Sequence, residues 1–170
     1  MSELTELGLR NRRAVPLRAI PTESIERFRS TVIDAVTDNW RVVTLFGMPE
    51  DGHTTRLVAV LADDAHGQLG ATSTLVGESY PSLTPDCAQV ERFEREIAEQ
   101  CAVEPTGHPW LKPLRRHLPD HRPAARTTVV LDPDNYPFFR IEGGEVHEVA
   151  VGPVHAGVID AKGATVASAG

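Results

Sequence analysis

The chain has 170 residues, of which 41% are hydrophobic and only 5% aromatic, and it carries a formal net charge of −7. That length suits one domain with one core, and a chain of this size buries roughly 70% of its extended surface on folding, so it needs no disulfide or metal staple. The acidic balance argues against a nucleic-acid backbone as partner, and apolar runs such as Leu57–Ala62 fall far short of the ~20 residues that cross a bilayer.

Residues 1–14 are polar and aperiodic and are expected to be a flexible N-terminus. Val15–Ile20 reads as a short strand ended by Pro21. Thr22 is placed to cap a helix, with carboxylates in the first turn. Ile25, Phe28, Val32, Ile33 and Val36 then form one apolar stripe on a helix running to Asp38. Trp40–Met48 is rich in β-formers and predicts a strand. A Pro49–Gly52 turn joins it to a second strand over Thr54–Leu61, making a β-hairpin. Leu69–Tyr80 reads as a third, weaker strand, and three consecutive strands without intervening helices imply antiparallel pairing.

The Pro81–Asp86 loop leads to a second helix, Asp86–Cys101, capped by Asp86 and with Val90, Phe93, Ile97 and Cys101 on one face. Pro105, Gly107 and Pro109 stop helix formation, and a connector rich in Pro and Arg follows to Arg126. Thr127–Leu131 and Glu145–Val151 are expected to be further short strands. The small, aperiodic residues at the C-terminus are expected to form a disordered tail. The fold class is therefore α+β: a mainly antiparallel mixed sheet with two principal helices packed on it, in a single domain.

The motifs of several chemistries are missing. The chain has no Gly-x-Gly-x-x-Gly, phosphate loop, Cys-x-x-Cys or Gly-x-Ser-x-Gly. Cys87 and Cys101 are too few for a four-cysteine cluster. Their spacing permits a bridge, but with no charged-then-apolar secretion signal at the start a reducing cytoplasm is expected, which favours two free thiols. His117 and His121 are four apart, as a zinc-binding helix would need, but Pro119 lies between them. With His108 nearby, a small metal-dependent hydrolase stands as one alternative reading, although no acidic ligand completes the set. Glu94-Arg95-Glu96 reads as the solvated face of the second helix, supported by the i,i+4 pairs Glu91–Arg95 and Arg92–Glu96 at about 0.3 kcal/mol each. The basic clusters Arg10, Arg12, Arg13, Arg18 and Lys112, Arg115, Arg116 read as solvated faces or as contacts for an acidic neighbouring protein.

Three stretches carry a resemblance: Pro81-Ser82-Leu83-Thr84, then Glu91–Ile97, then Gly107-His108-Pro109-Trp110-Leu111-Lys112-Pro113-Leu114-Arg115. In this order they resemble the C-type subunit of NADH–quinone oxidoreductase (complex I). They resemble still more the matching N-terminal domain of formate hydrogenlyase-type nickel–iron hydrogenase large subunits. The resemblance covers residues 20–116. It implies a domain of that C-type family at 15–131, followed over 132–159 by a connector and the start of a large-subunit-like hairpin, with the tail at 160–170.

Within Glu145–Ile159, Gly152-Pro153-Val154-His155 is similar to a large-subunit turn whose histidine contacts quinone in quinone-reducing relatives, and His155 holds that position. The chain departs from the family in three ways: the nickel-binding cysteine pairs are absent, the large-subunit stretch stops at Ile159, and the second helix ends in Glu99-Gln100-Cys101-Ala102-Val103, where the family usually has an aromatic and a glycine.

The resemblance implies a structural subunit without an active site, assembling the peripheral electron-transport arm. Glu94, Arg95, Glu96, His108 and Arg115 would be interface residues. No cofactor is expected on this chain. Iron–sulfur clusters and a flavin or nickel–iron centre would lie on its partners, a hydrogenase-like large subunit and a cluster-bearing small subunit. The location implied is cytoplasmic, at the inner face of the cell membrane through the complex. A degenerate stand-alone adaptor or homo-oligomer is the other alternative.

Overall fold

A computed structural model describes residues 14–114 and Leu9, together with the backbone of 146–150 and 165–169. The architecture is α+β. Strands β1 (Thr22–Glu23), β2 (Arg41–Pro49), β3 (Thr55–Asp63) and β4 (Gln68–Val76) form a sheet in the order β1-β4-β3-β2. Helices α1 (Ile25–Thr37) and α2 (Glu91–Cys101) pack on it. The pairs β2–β3 and β3–β4 are antiparallel, as expected of consecutive strands, whereas β1 adds to β4 in parallel.

The period-two pattern of the strands sets the core. Leu57, Ala59 and Leu61 of β3 and Leu45 of β2 point to the helices and are buried with Phe28, Val32, Val90 and Ile97. At about 1.5–3 kcal/mol for each large apolar side chain removed from water, this cluster is the main force holding helices to sheet. Gly47 lets α2 approach closely: a Cβ there would stand 2.8 Å from Cys101 Sγ and 3.2 Å from Thr55 Cγ2. The opposite face of the sheet carries Phe46 and Leu75, both exposed, with a bulge at the exposed Val43 between Val42 and Thr44.

Several expected boundaries move. Val15–Ile20 is not a strand. Between Pro16 and Pro21 it forms a 3₁₀ turn at Leu17–Ala19, closed by Ala19 N–H donating to Pro16 O at 2.9 Å. Ser24, not Thr22, caps α1, its hydroxyl accepting from Arg27 N–H at 3.3 Å. Thr22 is drawn into β1 instead, where its hydroxyl lies 3.3 Å from Ser73 Oγ and accepts from Arg56 at 2.6 Å. Helix α1 ends in a left-handed Asn39 at φ 67°, with Trp40 N–H reaching back to Ala35 O at 2.9 Å.

The third expected strand breaks after Val76. Its end becomes β5 (Ser79–Pro81), which leaves the sheet and pairs in parallel with β6 (Glu104–Thr106). Helix α2 is the crossover that a parallel pair requires. It begins at Glu91 rather than Asp86, after a 3₁₀ turn at Ala88–Val90, because residues 82–87 are folded into the turn described below.

At the C-terminus, β7 (Val146–Ala150) lies on the strand expected at Glu145–Val151 and pairs antiparallel with β8 (Thr165–Ala169), which falls in the stretch expected to be a disordered tail. The expected strand at Thr127–Leu131 lies outside the described residues. Among the described residues, no helix is long and apolar enough to cross a membrane.

Candidate functional site

The densest polar assembly surrounds α2. Glu94, in its first turn, is fully buried. Four donors converge on its carboxylate: Oε2 accepts from Ser82 Oγ at 2.6 Å, Thr84 Oγ1 at 2.5 Å and Thr84 N–H at 3.1 Å, and Oε1 accepts from Leu83 N–H at 2.8 Å. The Pro81–Thr84 turn therefore folds around an acceptor that sits where the helix dipole favours negative charge. Such bonds are what make a buried carboxylate tolerable, since a buried charge without partners costs several kcal/mol.

The other side of the same turn is held by α1. Arg29 Nη2 donates to Ser82 O at 3.0 Å and to Asp86 Oδ2 at 3.2 Å. Two elements well separated in sequence thus grip one turn, from its N–H side and from its carbonyl side. Tyr80 lies below, buried. Its hydroxyl meets no acceptor in hydrogen-bonding geometry among the described residues. Burial first, and the nearby Glu94 carboxylate second, push this phenol well above its ordinary range.

Arg95, the next residue on α2, is also buried. Its guanidinium donates to Glu91 Oε1 at 2.8 Å, to Lys112 O at 2.9 Å and to Pro113 O at 3.2 Å. The planar fork of an arginine suits such divergent acceptors. It ties a strap, residues 107–114, down onto the helix. Two more bonds tie the same strap: Leu114 N–H donates to a Glu99 carboxylate oxygen, and His108 Nε2 lies 3.3 Å from Glu91 O. Trp110 N–H donates to His108 Nδ1 at 3.1 Å, so Nδ1 is the acceptor and Nε2 carries the hydrogen toward Glu91 O.

The expected interface residues therefore separate. Glu94 and Arg95 are not on a solvated face: the turn and the strap cover them, and they act inside the chain. Glu91–Arg95 is an i,i+4 pair as expected, but it works as part of the strap clamp. Glu96 is half-buried and accepts from Gln100 Nε2 at 3.2 Å. His108 is half-buried with both ring nitrogens engaged. Arg115, His117, His121 and His155 lie outside the described residues.

Sequence reasoning missed Arg29, Ser82 and Thr84 as parts of one assembly around Glu94. The available signal was a pair of hydroxyl residues flanking Leu83 just ahead of a helix with an acidic first turn.

Cys87 and Cys101 are both buried and neither is in a disulfide. Burial raises the Cys87 thiol above its ordinary value. Among the described residues, no three His, Cys, Asp or Glu side chains gather as a metal site. Chemically, this assembly fixes the shape of the turn and the strap through groups that bond one another. No protein-family model matches the chain, and a search of curated proteins gives no match.

Proposed function

We propose that the chain is a non-catalytic structural subunit of a complex I-like NADH dehydrogenase or membrane-bound hydrogenase, holding together the peripheral electron-transfer arm. One observation supports this reading above the others. Pro81–Thr84, Glu91–Ile97 and the Gly107–Leu114 strap, which carry the resemblance in sequence, make one contiguous assembly through Glu94 and Arg95. Its buried charged groups, Glu94 and Arg95, are spent on internal hydrogen bonds, and this suits a part whose product is a fixed docking shape. In that role the chain keeps electron-carrying neighbours at tunnelling distance, and no bond is made or broken on it. Clusters and flavin or nickel–iron belong to the large and small subunits, and contact with the inner face of the cell membrane comes through the complex.

The test is affinity purification of the tagged full chain from its native cells, with mass spectrometry of what accompanies it. Recovery of a hydrogenase-like large subunit and a cluster-bearing small subunit in fixed ratio is expected. A chain recovered alone from cells that express both subunits overturns the reading.

A second reading, a stand-alone adaptor that self-associates, draws on the exposed apolar residues Val43, Phe46 and Leu75. Light scattering of the isolated chain separates it, because a concentration-dependent homo-oligomer is its specific outcome.

A further inference from the structure

Among the described residues Trp110 is the most exposed large hydrophobic, at 57%, yet it sits on a heavily fastened backbone. Its own N–H is held by His108, the carbonyls of Lys112 and Pro113 are held by buried Arg95, and Leu114 N–H is held by Glu99. Pro109 and Pro113 further limit the strap's freedom. The ring is fixed as well: Lys112 Nζ lies 3.6 Å and Arg95 Cζ 5.6 Å from its centroid, both within cation–π range. An indole held rigid while exposed loses little entropy on binding, and tryptophan is among the residues that most often dominate protein interfaces.

The local charge indicates what it meets. The strap, residues 107–114, carries Lys112 and no Asp or Glu, and Arg115 and Arg116 come next in the sequence, within a chain of net charge −7. A cationic strap on an acidic protein attracts carboxylates and orients their approach. Nucleic acid, the other polyanion, is disfavoured by the overall charge.

We propose that Trp110, with Lys112, is the anchor of an interaction surface for an acidic protein partner, the indole entering an apolar recess rimmed by carboxylates. This rests on the structural-subunit reading, in which that partner is the hydrogenase-like large subunit. Buried Arg95 is then a positioning residue: it holds the strap and does not touch the partner.

The experiment uses the full tagged chain in its native cells, as wild type, Trp110→Ala and Lys112→Gln, with the large subunit quantified at low and high salt. Trp110→Ala loses recovery by about tenfold or more, the scale of an interface hot spot. Lys112→Gln loses less, and its recovery depends less on salt than that of wild type. Both purified variants lose the Trp110–Lys112 contact and are expected to stay folded with similar small losses of melting temperature. A larger loss of recovery in Trp110→Ala than in Lys112→Gln therefore reports docking and not folding.

Wild-type and Trp110→Ala chains that retain the large subunit equally overturn this inference and leave the structural-subunit reading standing. A wild-type chain that recovers neither subunit overturns both. In a Trp40→Phe background Trp110 is the sole fluorophore of its kind, and quenching of its fluorescence by a short oligothymidylate would replace the acidic protein with single-stranded nucleic acid.

Discussion

Arg29 and Glu94 hold opposite sides of a single residue: Arg29 Nη2 donates to Ser82 O at 3.0 Å while Glu94 Oε2 accepts from Ser82 Oγ at 2.6 Å. The first comes from α1 and the second from α2, so the turn at Ser82 is where the two helices are joined by polar contacts. Each helix also packs on the sheet through its own apolar stripe. The turn adds direction to that non-directional attraction.

Replacing Glu94 by Gln tests this junction. The amide is nearly isosteric, but its NH2 must face a backbone donor whichever way it is turned, Leu83 N–H on one side or Thr84 N–H on the other. Hydroxyls can rotate to accept, and backbone N–H groups cannot. Turned toward Thr84, the NH2 leaves that N–H with Ser82 Oγ at 3.1 Å as its acceptor, so Glu94→Gln is expected to destabilise by about 1.5–3 kcal/mol, the scale of a lost charge-assisted bond. Urea denaturation with an unchanged m-value measures it. A change under about 0.5 kcal/mol would mean that the carboxylate contributes little beyond its shape.

The legible parts of the sequence were those with a period. The stripes of α1 and α2 and the β2–β3–β4 meander follow from spacing that burial enforces, and their types and order agree with the structure. The capping residues and the parallel pairs did not follow. Thr22 and Ser24 are both good caps, and only the pairing of Thr22 with Ser73 across the fold decides between them. Likewise Glu94 and Arg95 look like any solvated run in a charged helix. What buries them is the Pro81–Thr84 turn and the 107–114 strap, whose return to α2 is a tertiary event with no local pattern. Gly107 and Pro109 mark the turn that holds His108, whereas the exposure of Trp110 follows no local period, because a single aromatic in a Pro-rich stretch forms no stripe.

Gly47 is the second test. An alanine there brings a methyl to 2.8 Å from Cys101 Sγ and 3.2 Å from Thr55 Cγ2, both buried with little room to shift. Gly47→Ala should cost about 1–3 kcal/mol, as overpacking does. Adding Cys101→Ala removes the nearest atom, so the double variant should be more stable than the two single losses added together. Strict additivity in the cycle would show that α2 does not rest on β2 at this point.

Alkaline pH probes Tyr80 and Cys87. Both pKa values are raised in the fold, Tyr80 by burial and then by Glu94, and Cys87 chiefly by burial. A raised value means that the folded state holds its proton more tightly than the unfolded chain. The stability from each group is then whole below its unfolded pKa and lost as pH climbs toward the folded one. Stability should fall from about pH 8.5, where an ordinary thiol titrates, and more steeply above about pH 10, where an ordinary phenol does. Tyr80→Phe should remove the steeper limb and leave the shallow one. At neutral pH its effect should stay within about 1 kcal/mol, because the hydroxyl it deletes is buried beside Glu94 with no acceptor in hydrogen-bonding geometry among the described residues. An unchanged alkaline profile in Tyr80→Phe would assign the steep limb to other groups.

Arg95 gives the test of the strap. Its three acceptors diverge from one guanidinium, two of them main-chain carbonyls of residues 112 and 113. Lysine keeps the charge but offers a single ammonium, which cannot reach all three from a shorter, rounder head. Arg95→Lys should free the strap while the sheet and the apolar stripe of α2 stay in place. Hydrogen exchange resolves the two: amides of β3 should keep their protection, while those of Trp110 and Leu114, bonded to His108 and Glu99, should exchange about tenfold faster or more, equivalent to about 1.4 kcal/mol of lost local stability. If strap and sheet amides accelerate together, Arg95 supports the whole fold and the strap has no independent latch. If neither changes, the bonds from His108 and Glu99 suffice to hold it, and the guanidinium fork is redundant.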